Sequence, residues 1–148
     1  MTRKKTKSLI IILFVAIAII AIGLIAGLSR LESTIDTKQV SWTNYSIGGL
    51  DDSGDVKDTT ASIYTRSFHN ADGLEIKVDE DASITYVVYF YDENDEYLNK
   101  SDVLNSDYDT APEGAETFRI VITPTDDAEV SITEIYKYAK QLTVTVNK

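Results

Sequence analysis

Three groups of residues in this chain have side chains that could do chemistry. Trp42, Tyr45, Tyr64, Tyr89, Tyr91, Tyr97 and Tyr108 are aromatic residues set among Asp and Asn. Flat rings of this kind cover the apolar C–H faces of sugar rings while neighbouring polar groups bond the hydroxyls, so these residues are the candidate ligand-binding set. Strand propensity and core packing account for the same residue types without any ligand. The second group is the acidic runs Asp51-Asp52-Ser53-Gly54-Asp55, Asp79-Glu80-Asp81 and Asp92-Glu93-Asn94-Asp95-Glu96. Their oxygens suit calcium, but none completes a calcium loop. The last run has Tyr97 where an EF-hand needs Gly and Val103 where it needs Glu. Turn-forming, solvated acids are the expectation there, with no cofactor.

The third group is His69 alone, the one histidine of the chain. It lies in Phe68-His69-Asn70-Ala71-Asp72-Gly73, a turn-like stretch, and no nucleophile or partner at a catalytic spacing accompanies it. Cysteine is absent, which removes disulfides, thiol chemistry and Cys-based zinc sites. Phosphate-cradling glycine loops and nucleophile elbows are missing too, so the reading is non-catalytic.

These residues must be held by a scaffold, and the sequence divides into four parts. Residues 1–7 are basic. Ser8 to Ser29 is a run of 22 residues without charge, long enough as a helix to cross the ~30 Å hydrocarbon core. Arg3, Lys4, Lys5 and Lys7 precede the run, while Arg30 after it is offset by Glu32. The positive side stays in the cytoplasm, so the expected arrangement is a single-pass anchor contacting membrane lipid through residues 8–29 and a C-terminal domain outside the cell. The run exceeds the apolar core of a cleaved signal peptide. Residues 30–39 read as a short polar stalk, and 40–148 as the extracellular domain.

That domain is rich in Val, Ile, Thr, Tyr and Phe in short runs separated by Asp, Asn, Gly and Ser, the texture of an all-β fold. Leu74–Val78 and Phe118–Ile122 alternate apolar and polar residues, as strands with one buried face do. Ile84–Tyr91 is apolar on both faces and suits a central strand covered on one side by the core and on the other by something aromatic. Further strands are expected at Val40–Ile47, Ser62–Phe68, Tyr97–Leu98, Val130–Tyr138 and Leu142–Val146. Seven to eight such strands predict an antiparallel β-sandwich or jelly roll. From Leu31 onward 9 Lys and Arg face 24 Asp and Glu, a net charge of −15. So acidic a surface repels phosphate backbones and excludes nucleic acid as a partner.

Tyr89-Phe90-Tyr91-Asp92-Glu93-Asn94-Asp95-Glu96-Tyr97-Leu98, followed by Ala111-Pro112-Glu113-Gly114-Ala115-Glu116-Thr117-Phe118-Arg119-Ile120, forms a strand–turn–strand pattern. It resembles the jelly-roll, galactose-binding-like modules of Gram-positive surface proteins and phage tail proteins. The resemblance implies a module that binds carbohydrate or acts as a structural spacer. The functional expectation is a membrane-anchored module that binds a glycan or cell-wall polymer; its alternative is a structural or interaction subunit with an envelope protein as partner.

Overall fold

The computed structural model describes residues 34–35 and 38–147. The expected membrane helix at 8–29 lies outside them, and among the described residues no helix is long and apolar enough to cross a membrane. The strands in chain order are β1 Thr34–Ile35, β2 Tyr45–Ile47, β3 Gly49–Leu50, β4 Val56–Lys57, β5 Ile63–Thr65, β6 Ser67–His69, β7 Leu74–Val78, β8 Ile84–Tyr91, β9 Tyr97–Lys100, β10 Thr117–Pro124 and β11 Leu142–Val146. β7, β8 and β11 match the boundaries that alternation and apolar content predict. The described chain is therefore mainly β, in antiparallel sheets.

At the centre of the larger sheet lies β10, paired with β8 along eight consecutive residues from Thr117↔Tyr91 to Pro124↔Ile84. Its other edge pairs first with β6 and then with β5. Those two short strands are one strand interrupted at Arg66, and the interruption is filled by a side chain: Thr65 Oγ1 accepts the Ile120 N–H at 2.9 Å. A buried N–H left without a partner would cost about 1–3 kcal/mol, which this hydroxyl offsets. β9 extends the sheet beyond β8, while β2 lies beside β5 and β1 beside β6, the last pair parallel.

In the smaller sheet β7 and β11 pair over five residues, from Leu142↔Val78 to Val146↔Leu74. Tyr108 bridges Ile76 on one side and Gln39 bridges Thr145 on the other. Thr34–Ile35 and Gln39, read from sequence as part of a polar stalk, are thus hydrogen-bonded into sheets. Polar sequence did not prevent this, because an edge strand needs only its backbone groups to pair.

The two sheets bury their facing residues against each other in a β-sandwich-like arrangement. Tyr86, Val88, Phe90, Phe118, Ile120 and Ile122 come from the larger sheet, Leu74, Ile76, Val144 and Val146 from the smaller one. Each fully buried side chain of this kind stabilises by about 1.5–3 kcal/mol relative to exposure.

Two expected strands are corrected. Val130–Tyr138 is not a strand: it holds a 3₁₀ turn at Ile132–Glu134 and the helix α1, Ile135–Ala139. Ser131 and Glu134 form a reciprocal cap, with the Glu134 carboxylate accepting the Ser131 N–H at 3.0 Å. The helix buries Ile135, Tyr138 and Ala139, the three- and four-residue spacing of a helical face. In the span Val40–Ile47 only Tyr45–Ile47 is a strand, because Ser41 caps a second 3₁₀ turn at Trp42–Asn44.

Candidate functional site

The structure separates the candidate aromatics into two regions. Alternation along β8 sends Tyr86, Val88 and Phe90 into the sandwich core and turns Val87, Tyr89 and Tyr91 to the opposite face of the larger sheet. There Tyr89, Tyr91, Val121 and Leu50 form a second buried cluster, with Tyr64, Val87 and Tyr97 partly buried against it. The cover is the connection between β2 and β5, an arm whose own small hairpin is β3–β4. It bends over the sheet at Gly48, whose φ of +142° is open to glycine and strained for other residues. Gly48 N–H donates to the Ser62 carbonyl at 3.0 Å, and Ser62 Oγ donates back to the Gly48 carbonyl at 2.8 Å.

Both cluster tyrosines spend their hydroxyls on this arm. Tyr89 Oη donates to the Leu50 carbonyl at 3.2 Å and Tyr91 Oη to the Gly54 carbonyl at 2.6 Å. Gly54 fits because it has no side chain: a Cβ there would lie 2.7 Å from the Tyr97 ring and 2.9 Å from Tyr91 Oη. At the tip Asp51 Oδ1 accepts the N–H groups of Ser53 and Asp55 at 2.8 and 3.1 Å, so its carboxylate builds the turn. Lys100 Nζ reaches Asp52 at 2.6 Å and also lies 5.7 Å from the Tyr89 ring centre. The Arg119 guanidinium, turned away from the face of Phe118 and Ile120, sits 5.8 Å over Tyr91. Burial pushes the Tyr91 hydroxyl up to about 12 and raises that of Tyr89 as well. Lys100 holds the Asp52 carboxyl below its ordinary range. Leu50 is the arm's apolar contribution to the buried cluster, worth about 1.5–3 kcal/mol by area.

The second region is open. Trp42 is 48% exposed and Tyr136 53% exposed, and their rings meet edge to face with centroids 5.7 Å apart. They border a groove of about 360 Å³ that Gln39, Ser41, Lys140 and Thr143 also line. Lys140 Nζ lies 5.6 Å from the Tyr136 ring centre. The 3₁₀ turn capped by Ser41 sets Trp42 in place, and α1 sets Tyr136. Chemically, the groove offers two ring surfaces, hydroxyl-bearing side chains and one cation, which together suit a polyhydroxylated ligand. Sequence reasoning missed Tyr136 and Lys140. Read as a strand, Val130–Tyr138 puts Tyr136 and Tyr138 on one face; as a helix it buries Tyr138 and leaves Tyr136 in solvent.

The remaining candidates stand apart from both regions. Tyr45 is buried in the main core, and its hydroxyl has no hydrogen-bond partner among the described residues. Tyr108 is half-buried beside Phe90, with ring centres 6.5 Å apart. Asp92 Oδ1 accepts the Asn94 and Glu96 N–H groups at 2.8 and 3.0 Å, a turn like that at Asp51. Exposed His69 borders a pocket of about 390 Å³ with Asp92, Asp95 and Glu116. Among the described residues no three His, Asp or Glu side chains are grouped to hold a metal ion.

No family model, no curated protein and no solved structure matches this chain.

Proposed function

We propose that this chain is a membrane-anchored, non-catalytic binding module that recognises carbohydrate or cell-wall polymer outside the cell, and that its ligand lies in the groove of Trp42 and Tyr136. The observation that carries this reading is two large rings, each about half exposed, bordering one groove with polar side chains around them. Leaving two such rings in water gains nothing for folding, whereas a sugar's C–H face would cover them. In the covered region Tyr89 and Tyr91 are buried with their hydroxyls bonded to the arm, and Tyr64 and Tyr97 are partly buried against them, so the proposed site contracts from the sequence set to Trp42 with its new partner Tyr136. The anchor rests on the uncharged run Ser8–Ser29 and the basic residues before it. The jelly-roll class belongs to the same proposal and rests on the resemblance of Tyr89–Leu98 and Ala111–Ile120.

The test is binding of the full chain in detergent to purified cell walls and to an array of neutral and acidic glycans. Saturable binding that falls at least about tenfold in Trp42→Ala and in Tyr136→Ala is expected, the loss of roughly 1.4 kcal/mol or more that one stacked ring supplies. Binding unchanged in both variants would move the site elsewhere.

A second reading is a structural or interaction subunit of an envelope assembly. Its support is Ile132, a large apolar residue left 79% exposed in the 3₁₀ turn just before the helix that carries Tyr136. No wall or glycan binding, together with a protein crosslinked through Ile132 or Tyr136 in intact membranes, would favour it.

A further inference from the structure

The arm from Gly48 to Ser62 is attached to the tyrosine face in a way unlike any other segment of the larger sheet. It adds no strand to that sheet's ladder; β3 and β4 pair with each other. On the tyrosine face it is held by the Leu50 side chain, the two tyrosine hydroxyls on the Leu50 and Gly54 carbonyls, and the Asp52–Lys100 pair, and its return limb by the Val130 N–H, which donates to the Thr60 carbonyl at 2.7 Å. The arm is the closed end of the β2–β5 hairpin, joined to it at Gly48 and at Ser62, and it folds down where Gly48 takes its positive φ. Release of such a segment is a local event that leaves the sandwich ladder intact.

The face beneath is complementary to what covers it. It presents two phenol donors, a slot into which only a side-chain-free backbone fits, and the cations Lys100 and Arg119. The arm presents two carbonyl acceptors, Gly54 and an acidic tip. This recognition depends on chemistry that works equally well between molecules, because an arm from another copy brings the same groups. We propose that two copies of this chain exchange arms, each laying residues 48–62 on the tyrosine face of the other. The exchanged dimer re-forms the contacts of the arm with the tyrosine face between copies and changes the two crossings at Gly48 and Ser62, and segment swapping is cheap when the change is confined to such hinge positions. Straightening the bend at Gly48 frees it from a positive φ and from the Tyr64 ring, which lies 2.8 Å from where its Cβ would stand.

The chain contains no cysteine, so introduced thiols are the only ones present. One full-length copy carries Asp52→Cys and an affinity tag; a second, untagged copy carries Lys100→Cys. They are co-expressed, purified in detergent and treated with a short bis-maleimide. Heterodimer yield several-fold above a control pair, Asp52→Cys with Lys77→Cys on the opposite sheet, is expected. Adding Gly48→Ala to both copies raises the yield further, because the closed bend tolerates no Cβ and the straightened one does. The double variant Asp52→Cys/Lys100→Cys in a single chain must give a crosslink, internal in the closed monomer or between chains in the exchanged dimer, which verifies that the reagent spans this pair. With that verified, heterodimer at the control level in both backgrounds overturns the proposal, and an excess in either one supports it.

Discussion

The two aromatic regions use the same residue types to opposite ends. In the covered region the rings of Tyr89 and Tyr91 are buried and their hydroxyls bond the chain's own carbonyls. At the groove, Trp42 and Tyr136 touch one another edge to face, Lys140 lies beside the Tyr136 ring, and about half of each residue faces solvent. Composition cannot distinguish these cases, since both regions are built from the same residue types. What separates them is whether another segment of the chain comes back to cover the ring. The arm does so for the tyrosine face, and among the described residues nothing does so for the groove. A ring closed by its own chain contributes stability; a ring left open contributes a surface.

That contrast can be broken by substitution, and the largest effect should come from the covered side. Tyr91→Ala removes a buried ring and the 2.6 Å bond to Gly54. A loss of about 3 kcal/mol is expected by urea denaturation, with faster amide exchange through residues 48–57. A wild-type midpoint would mean that the arm is not held through this residue.

A smaller effect appears on alkaline titration. Because burial raises the Tyr91 hydroxyl from about 10 to about 12, the folded state prefers the neutral phenol. Its contribution is complete below about pH 10 and is lost as pH rises toward 12, where the unfolded chain ionises first. The denaturation midpoint should therefore hold at neutral pH and fall across that window, less steeply in Tyr91→Phe. Buried Tyr45, Tyr86 and Tyr89 are raised in the same direction, so the slope should lessen rather than vanish.

The smallest effect belongs to the open side. Trp42→Ala should change stability by no more than about 1 kcal/mol, as exposed substitutions do, while removing wall or glycan binding. A drop in the urea midpoint as large as that of Tyr91→Ala would show that Trp42 supports the fold, and the division between the two regions would fail.

Much of the fold was legible because strand alternation is a local signal. Leu74–Val78, Ile84–Tyr91 and Leu142–Val146 match to the residue; the two-sided apolar character of Ile84–Tyr91 pointed to a cover on each face, but the outer cover is the arm with Leu50 and its carbonyls and not an aromatic segment. The cover itself was not legible, because Gly48–Lys57 is polar and acts through backbone carbonyls, which every residue has. The helix at Ile135–Ala139 could have been found. Ser131 and Glu134 stand at capping-box spacing, and Ile135, Tyr138 and Ala139 at helical spacing, but β-branched and aromatic content outweighed both. Missing it concealed Tyr136 and Lys140, and with them half of the groove. The aromatic candidates were read as one set because sequence gives no way to sort rings that later segments cover from rings that stay bare.

The pairing of Lys38–Val40 with Val144–Val146 sets how this domain would answer to mechanical load. Val146 N–H bonds the Lys38 carbonyl and Val40 N–H bonds that of Val144, so residues 38 and 147 leave the pair at the same end. Tension applied between them acts along the hydrogen bonds of an antiparallel ladder, which lie across the strands, and loads them in turn from the outermost inward. Strands pulled in that geometry unzip at low force, whereas strands sheared lengthwise load all their bonds at once. Stretched through these two points, the domain would peel open at β11 before its central β8–β10 ladder carried any tension, a poor design for a rigid spacer under pull and an adequate one for a domain tethered from one side.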